Sequence, residues 1–176
     1  SYGDGEAVCM VSCYEAEAFC RWLSLKSGNP CRLPTEAEWE KAARGTDGRR
    51  FSWGSTWPEC EQSHLLINED CRTRHALPVD AHPGDVSPYG VVGMIGNVQE
   101  WVQDWAAQDY YAVSPSTDPP GPRREDAYRD TYKVVRGGYW DYGVAFVFTR
   151  RWGNWEKGYP GRIGFRCARS EPPVDP

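Results

Sequence analysis

Two helix-start signals of the same form stand close together near the beginning of the chain. In "SCYEAEAFCRWLSLKSGN" Ser12 is followed three residues later by Glu15, and in "LPTEAEWEKAARG" Thr35 is followed by Glu38. A cap hydroxyl that takes the amide three residues on, while that residue's carboxylate takes the cap amide, satisfies two of the N–H groups a helix start leaves open. The spacing predicts one helix with Ala16, Phe19, Cys20 and Leu23 on its inward face, stopped at Gly28-Asn29-Pro30. It predicts a second helix with Trp39, Ala42 and Ala43 inward, ended by Gly45. No long helical period follows Gly45. Two early helices must therefore be covered by strands and loops, which makes the fold class α+β.

The rest of the chain supplies that cover. "YKVVRGG", "YGVAFVFT" and "RIGFRCAR" are the candidate strands, "GMIGNVQEWVQDW" is dense in Trp and Gly, and "SPSTDPPGPRREDAYRD" is a polar, Pro-rich surface loop. There is no internal repeat and no composition shift. Residues 1–176 form one expected domain, enough for a single sizeable core. Nine Trp and ten Tyr against five Phe favour half-buried and interface positions, because those side chains carry a polar tip.

Several function classes drop out. No apolar run approaches the roughly 18 residues of a membrane span. A net charge of −5 argues against nucleic acid, although "RRWGNWEKGYPGR" is locally basic. The seven cysteines contain no CxxC pair, so a zinc ribbon or redox motif is weakly supported; they are disulfides or small buried hydrophobes, and an odd count leaves at least one unpaired within the chain. His64, His75 and His82 show no helical ligand spacing and suggest surface loops. GxSxG, GxxxxGK[ST] and HExxH are absent. Glu36, Glu38 and Glu40 suit the positive end of a helix dipole.

Four motifs, "RLPTEAEWEKAARG", "YGVVGMIGNVQEW", "VVRGG" and "IGFRCARS", stand in the order found in the formylglycine-generating enzyme (sulfatase-modifying factor) family, which this chain resembles from about Val8 to Ser170. The resemblance implies a variant of the C-type lectin fold, with the family's amino-terminal strands missing from this sequence. It implies a disulfide between Cys20 and Cys167, which would close nearly the whole chain and contribute about 5 kcal/mol in a chain-entropy model. Cys60 and Cys71 flank one loop and form a second candidate pair. It also implies a calcium loop with the carbonyls of Gly93, Gly96 and Val98 and the carboxylate of Glu100 as ligands, hard oxygens of the kind calcium takes. Alternatively, Glu100 accepts hydrogen bonds from the loop's own amides. Gly93 departs from the Asn or Asp of other members.

The family's oxidase chemistry needs two cysteines after its Gly-Gly pair, to bind copper and attack a substrate peptide. The matching positions hold about Tyr142 and Val147, and no cysteine lies between Arg136 and Arg166. A phenol and an isopropyl group supply neither thiolate ligation of copper nor thiol exchange, so no copper and no such catalysis are expected. The segment instead resembles the variable proteins of diversity-generating retroelements, in which this window is rewritten on a fixed scaffold. Under that resemblance Tyr139, Trp140, Asp141, Tyr142, Phe146, Phe148, Arg150, Trp152, Asn154, Trp155, Tyr159 and Arg162 form a ligand-binding face. Ala145, Val147 and Thr149 point inward along a strand, while Trp152, Asn154, Trp155, Tyr159 and Arg162 follow in a loop setting. Aromatics and Arg are the side chains that dominate binding hot spots. Phe146 and Phe148 have a second reading, as core under a loop. The expected partner is a protein or cell-surface ligand, met in an extracellular, cell-surface or virion-associated setting.

Overall fold

The computed structural model describes residues 5–68, 71, 75–128, 131–141, 143, 145 and 162–169, and the backbone alone at 151–154. Both predicted helices are present with both predicted caps. In α1 (Cys13–Ser27) the Ser12 side chain accepts from the Glu15 amide and Glu15 answers at the Ser12 amide; in α2 (Glu36–Arg44) Thr35 and Glu38 do the same. Gly28 ends α1 in the left-handed conformation, and Gly45 closes α2.

The strands are β1 (Cys31–Arg32), β2 (Gln99–Trp105), β3 (Tyr132–Arg136), β4 (Arg151–Asn154), β5 (Ile163–Phe165) and β6 (Ala168–Arg169). They form a four-stranded sheet in the order β4-β3-β2-β5 and a two-stranded one, β1-β6. β2 runs antiparallel to β3 and parallel to β5, with a bulge between Trp101 and Trp105. A short helix α3 (Tyr110–Val113) and a 3-10 turn at Arg124–Asp126 lie between β2 and β3.

Alternation along the strands sends neighbouring residues to opposite faces. Val102 and Val134 join α2 in a cluster with Trp39, Ala43, Phe51, Leu65, Met94 and Ile95. Trp101, Val135 and Ile163 join α1 in another, with Cys13, Ala16 and Cys20. The central sheet is thus buried on both faces, one under each helix.

Three expectations are corrected. Phe19 is 45% exposed rather than inward; it packs edge-on against Phe165 at 5.4 Å, outside the Ala16–Cys20 stripe that fits the sheet. "QEWVQDW", given no strand reading, forms β2, the sheet's central strand. Trp152 and Asn154 lie in β4, paired with Val134 and Tyr132, not in a loop, because the β3 edge offers them a ladder of hydrogen bonds. The expected strand over 142–149 falls largely outside the described residues; Ala145, expected inward, is fully buried. Cys60 and Cys71 are joined in a disulfide. Cys20 and Cys167 are thiols whose sulfurs stand 2.6 Å apart, so α1 and the last strands present the implied pair to each other.

Candidate functional site

Gly137 and Gly138 set where the candidate face begins. Both have positive φ, 92° and 77°, and a Cβ on Gly138 would lie 2.5 Å from that of Ala145. Only glycine turns the chain here at no steric cost. The turn is pinned to the preceding loop: the Gly96 amide donates to the Gly137 carbonyl at 2.8 Å, and the Trp140 amide donates to the Asn97 carbonyl at 3.2 Å.

Three of the predicted face residues then converge. The guanidinium of Arg162, at the entry to β5, lies over the Tyr139 ring at 4.7 Å from its centroid. It donates to the Tyr139 hydroxyl at 2.9 Å and to the Asp141 carboxylate at 3.1 Å. All three residues are half-buried. Two planar groups and a carboxylate held by one another lose little rotamer freedom when a ligand arrives. Trp140 behaves differently: it is 7% exposed, packed with Ala7, Cys9, Ala76 and Val98, and stacked on His64 at 6.4 Å. It supports the face from beneath, because its indole covers an apolar floor. The backbones of Trp152 and Asn154 are in β4. Tyr142, Phe146, Phe148, Arg150, Trp155 and Tyr159 lie outside the described residues.

The expected calcium loop gathers around a different cation. Arg166 Nε and Nη2 donate to the two Glu100 oxygens at 2.6 and 2.7 Å, and Nη2 also donates to the Gly93 carbonyl at 2.8 Å. Trp39 Nε1 donates to Glu100 Oε2 at 2.7 Å. Burial works against the charge on Arg166, but Glu100 and Asp85 outweigh it and hold the guanidinium above its ordinary pKa. Glu100 therefore already meets three N–H donors, and the Gly93 carbonyl a fourth contact. As arranged, this donor set fits a guanidinium and does not fit a calcium ion. Among the described residues no group of three His, Cys, Asp or Glu side chains is placed to hold a metal.

This network was only partly foreseen. Glu36 and Glu40 are more than dipole partners: Arg136 donates to Glu36 at 2.8 Å and to Glu40 at 2.7 Å, and lies over the Trp39 ring at 5.1 Å. Glu38 returns the cap and pairs with Arg32. A chain of contacts runs Glu36/Glu40, Arg136, Trp39, Glu100, Arg166, through all four quoted motifs. A family model described as a sulfatase-modifying factor enzyme 1-like domain matches residues 2–171.

The chain belongs to the sulfatase-modifying factor family.

Its relatives are of more than one kind. It is 35% identical over 174 residues to the formylglycine-generating enzyme of Streptomyces coelicolor, covering 90% of this chain and 51% of that one. PvdO from Pseudomonas aeruginosa superposes with a TM-score of 0.78 at 26% identity, over 97% of this chain and 64% of PvdO. The Treponema denticola variable protein 1 superposes with a TM-score of 0.69 at 25% identity, over 95% and 74%. This member of the family thus spans about half the length of the Streptomyces enzyme, and its α+β architecture is one it shares with PvdO and a variable protein.

Of the three histidines expected in surface loops, His75 is exposed and His82 half-buried, but one is corrected. His64 is buried, not a surface loop residue, and the other two stand near it. Burial pushes its pKa down to about 4, with His82 and His75 adding to the shift. Their separation in sequence carries no signal of this; the Asn97 turn and the loops it ties together create it.

Proposed function

We propose that this chain is a non-catalytic, ligand-binding member of the family that presents a variable, aromatic- and Arg-rich surface built from residues 139–162. One observation carries the proposal: no cysteine lies between Arg136 and Arg166, where the family's oxidase chemistry needs two. The half-buried Tyr139–Arg162–Asp141 group supports it, as a preformed corner for a protein or cell-surface partner. The scaffold's stability sits elsewhere, in the paired helices and the Glu36–Arg166 network, so the face is free to change.

Two measurements test this. Sequences of the same locus from sibling isolates should differ mainly within 139–162 while the four motifs stay fixed; an invariant window overturns the proposal. Copper-loaded protein should not oxidise a cysteine in a sulfatase-motif peptide; turnover would establish the second reading instead, a metal-dependent oxidase with an altered site, which the enzymes among its relatives favour. An inactive homologue that modulates such an enzyme is the remaining form of that reading. The calcium proposal that the family resemblance implies for the Gly93–Glu100 loop requires Arg166 to leave Glu100, and the chain as arranged is expected not to take the ion.

A further inference from the structure

Helix α1 lays Ala16 and Cys20 on the sheet and turns its opposite face to solvent. With 3.6 residues per turn, Ala18 stands opposite that buried stripe, and Tyr14, Trp22 and Leu25 fall within about 40° of Ala18. All four are exposed, Trp22 by 51% and Leu25 by 80%. Phe19 widens the strip, its ring centroid 5.4 Å from that of Trp22. A surface helix ordinarily carries polar residues on this side. Single exposed apolar residues need no explanation, but a strip of them along one helix marks a contact surface.

The charges beside the strip say what fits it. One flank carries Glu15 early in α1 and Lys26 late in it; the other carries Glu17 and Arg21 in the same acidic-then-basic order. A second α1 laid antiparallel about a twofold axis, crossing at the level of Cys20, brings each flank against its own copy with the order reversed. Glu15 then meets the partner's Lys26 on one side, and Glu17 meets the partner's Arg21 on the other. Along the middle, Trp22 covers the partner's Ala18 and Tyr14 lies beside the partner's Leu25. A parallel pair would instead set Glu15 against Glu17 and Lys26 nearest Arg21, like charges together. The face is therefore self-complementary, as a twofold interface requires, and in one orientation only. Glu15 caps its own helix and Glu17 holds Lys133 at 2.9 Å, but a carboxylate accepts more than one donor. Ala18 at the crossing is small enough to let the two axes approach to about 8 Å.

We propose that this face binds a second copy of the chain, α1 against antiparallel α1. One helix apiece makes a small interface, so the dimer is reversible, with a dissociation constant on the order of 10 μM. It is independent of what residues 139–162 bind.

The test is sedimentation of the purified chain from about 1 to 200 μM, with carbodiimide cross-linking of mixed isotopically light and heavy chains. Expected are a monomer–dimer equilibrium, a light–heavy cross-link between Glu15 and Lys26, and dimerisation weakened about tenfold or more in Trp22→Ser and in Leu25→Ser. Arg21→Glu combined with Lys26→Glu should weaken it as well, since every flank contact becomes one of like charge. Leu25 is the more exposed of the two apolar positions, so Leu25→Ser decides should Trp22→Ser not fold. A chain monomeric at every concentration overturns the proposal and leaves the face to a different partner. A dimer that neither serine variant weakens overturns it too, as do light–heavy cross-links that join Lys26 only to carboxylates outside α1.

Discussion

The indole N–H of Trp39 donates to Glu100 at 2.7 Å, joining helix α2 to the sheet's central strand inside the core. The same carboxylate takes Arg166 from beyond β5. One acidic group therefore ties together three segments far apart in sequence. Glu100→Gln keeps an oxygen for Trp39 but leaves Arg166 facing a neutral group. We expect a loss of about 2–3 kcal/mol in urea unfolding, toward the lower side of what breaking a buried pair costs because Arg166 keeps some solvent contact. An unchanged midpoint would mean that Arg166 is satisfied by the Val92 and Gly93 carbonyls alone.

Arg136 should be less forgiving. It is buried with Glu36 and has Glu40 at its other nitrogen. Arg136→Ala strands two carboxylates, one of them fully buried, and is expected to cost about 3–5 kcal/mol. Arg136→Lys should recover only part, since an ammonium cannot bridge both carboxylates with the planar fork. Melting temperatures of the two variants check the order; a Lys variant as stable as the unaltered chain contradicts it.

Much of this was legible in advance, for physical reasons. Caps are local, so Ser12, Glu15, Thr35 and Glu38 announced both helices. β2 escaped notice because it is covered by α1 on one face and α2 on the other, and "QEWVQDW" consequently shows no alternation of apolar and polar residues. Phe19 obeyed helical spacing yet faces outward, since Ala16 and Cys20 are small enough to let α1 settle on the sheet without it. The polar network was invisible as a network: Glu36 and Arg136 are 100 positions apart, and only the fold brings them together. Tyr139, Asp141 and Arg162 were named as face residues by family resemblance alone; that they join one another was not legible, because it depends on the Gly137-Gly138 turn and on the entry to β5.

Acidification should pull stability in two directions. His64 has a folded pKa lowered to about 4 by burial, so the stability it contributes is present above its ordinary value near 6.5 and is lost as pH falls toward 4. Asp85 is raised to about 6, again mainly by burial, although Ser52 and the Ile95 amide oppose the shift. Its contribution is complete below its ordinary pKa near 3.8 and is lost as pH rises through 6. Between pH 6.5 and 4 the two contributions oppose each other. Asp85→Asn should remove the compensating limb, so its melting temperature falls more steeply on acidification than that of the unaltered chain; parallel curves contradict the assignment.

The sulfurs of Cys20 and Cys167 stand side by side without being joined, while Cys60 and Cys71 are joined. Under oxidising conditions peptide mapping should find Cys20 linked to Cys167. Closing that loop should add about 5 kcal/mol, less any native strain, against about 3 kcal/mol for the short Cys60–Cys71 loop. The double variant Cys20→Ala/Cys167→Ala should therefore lose most of the difference between oxidised and reduced melting temperatures. A difference that survives undiminished would place the larger stabilising bridge elsewhere.

Calcium gives the sharpest contrast between family resemblance and local chemistry. With Arg166 bound to both Glu100 oxygens and to the Gly93 carbonyl, an incoming dication must displace a guanidinium from its only carboxylate in that loop and then sit beside the charge it displaced. Coulomb repulsion between a divalent ion and a neighbouring guanidinium opposes this wherever water does not screen it. Millimolar Ca2+ should therefore leave the melting temperature of the unaltered chain unchanged. Arg166→Met removes the competitor and frees Glu100, at a cost in stability without added ion. If calcium then raises the variant's melting temperature, the loop carbonyls are competent ligands that Arg166 normally excludes. If calcium instead stabilises the unaltered chain in a saturable way, the guanidinium yields to the ion and the calcium proposal holds as the family resemblance implies.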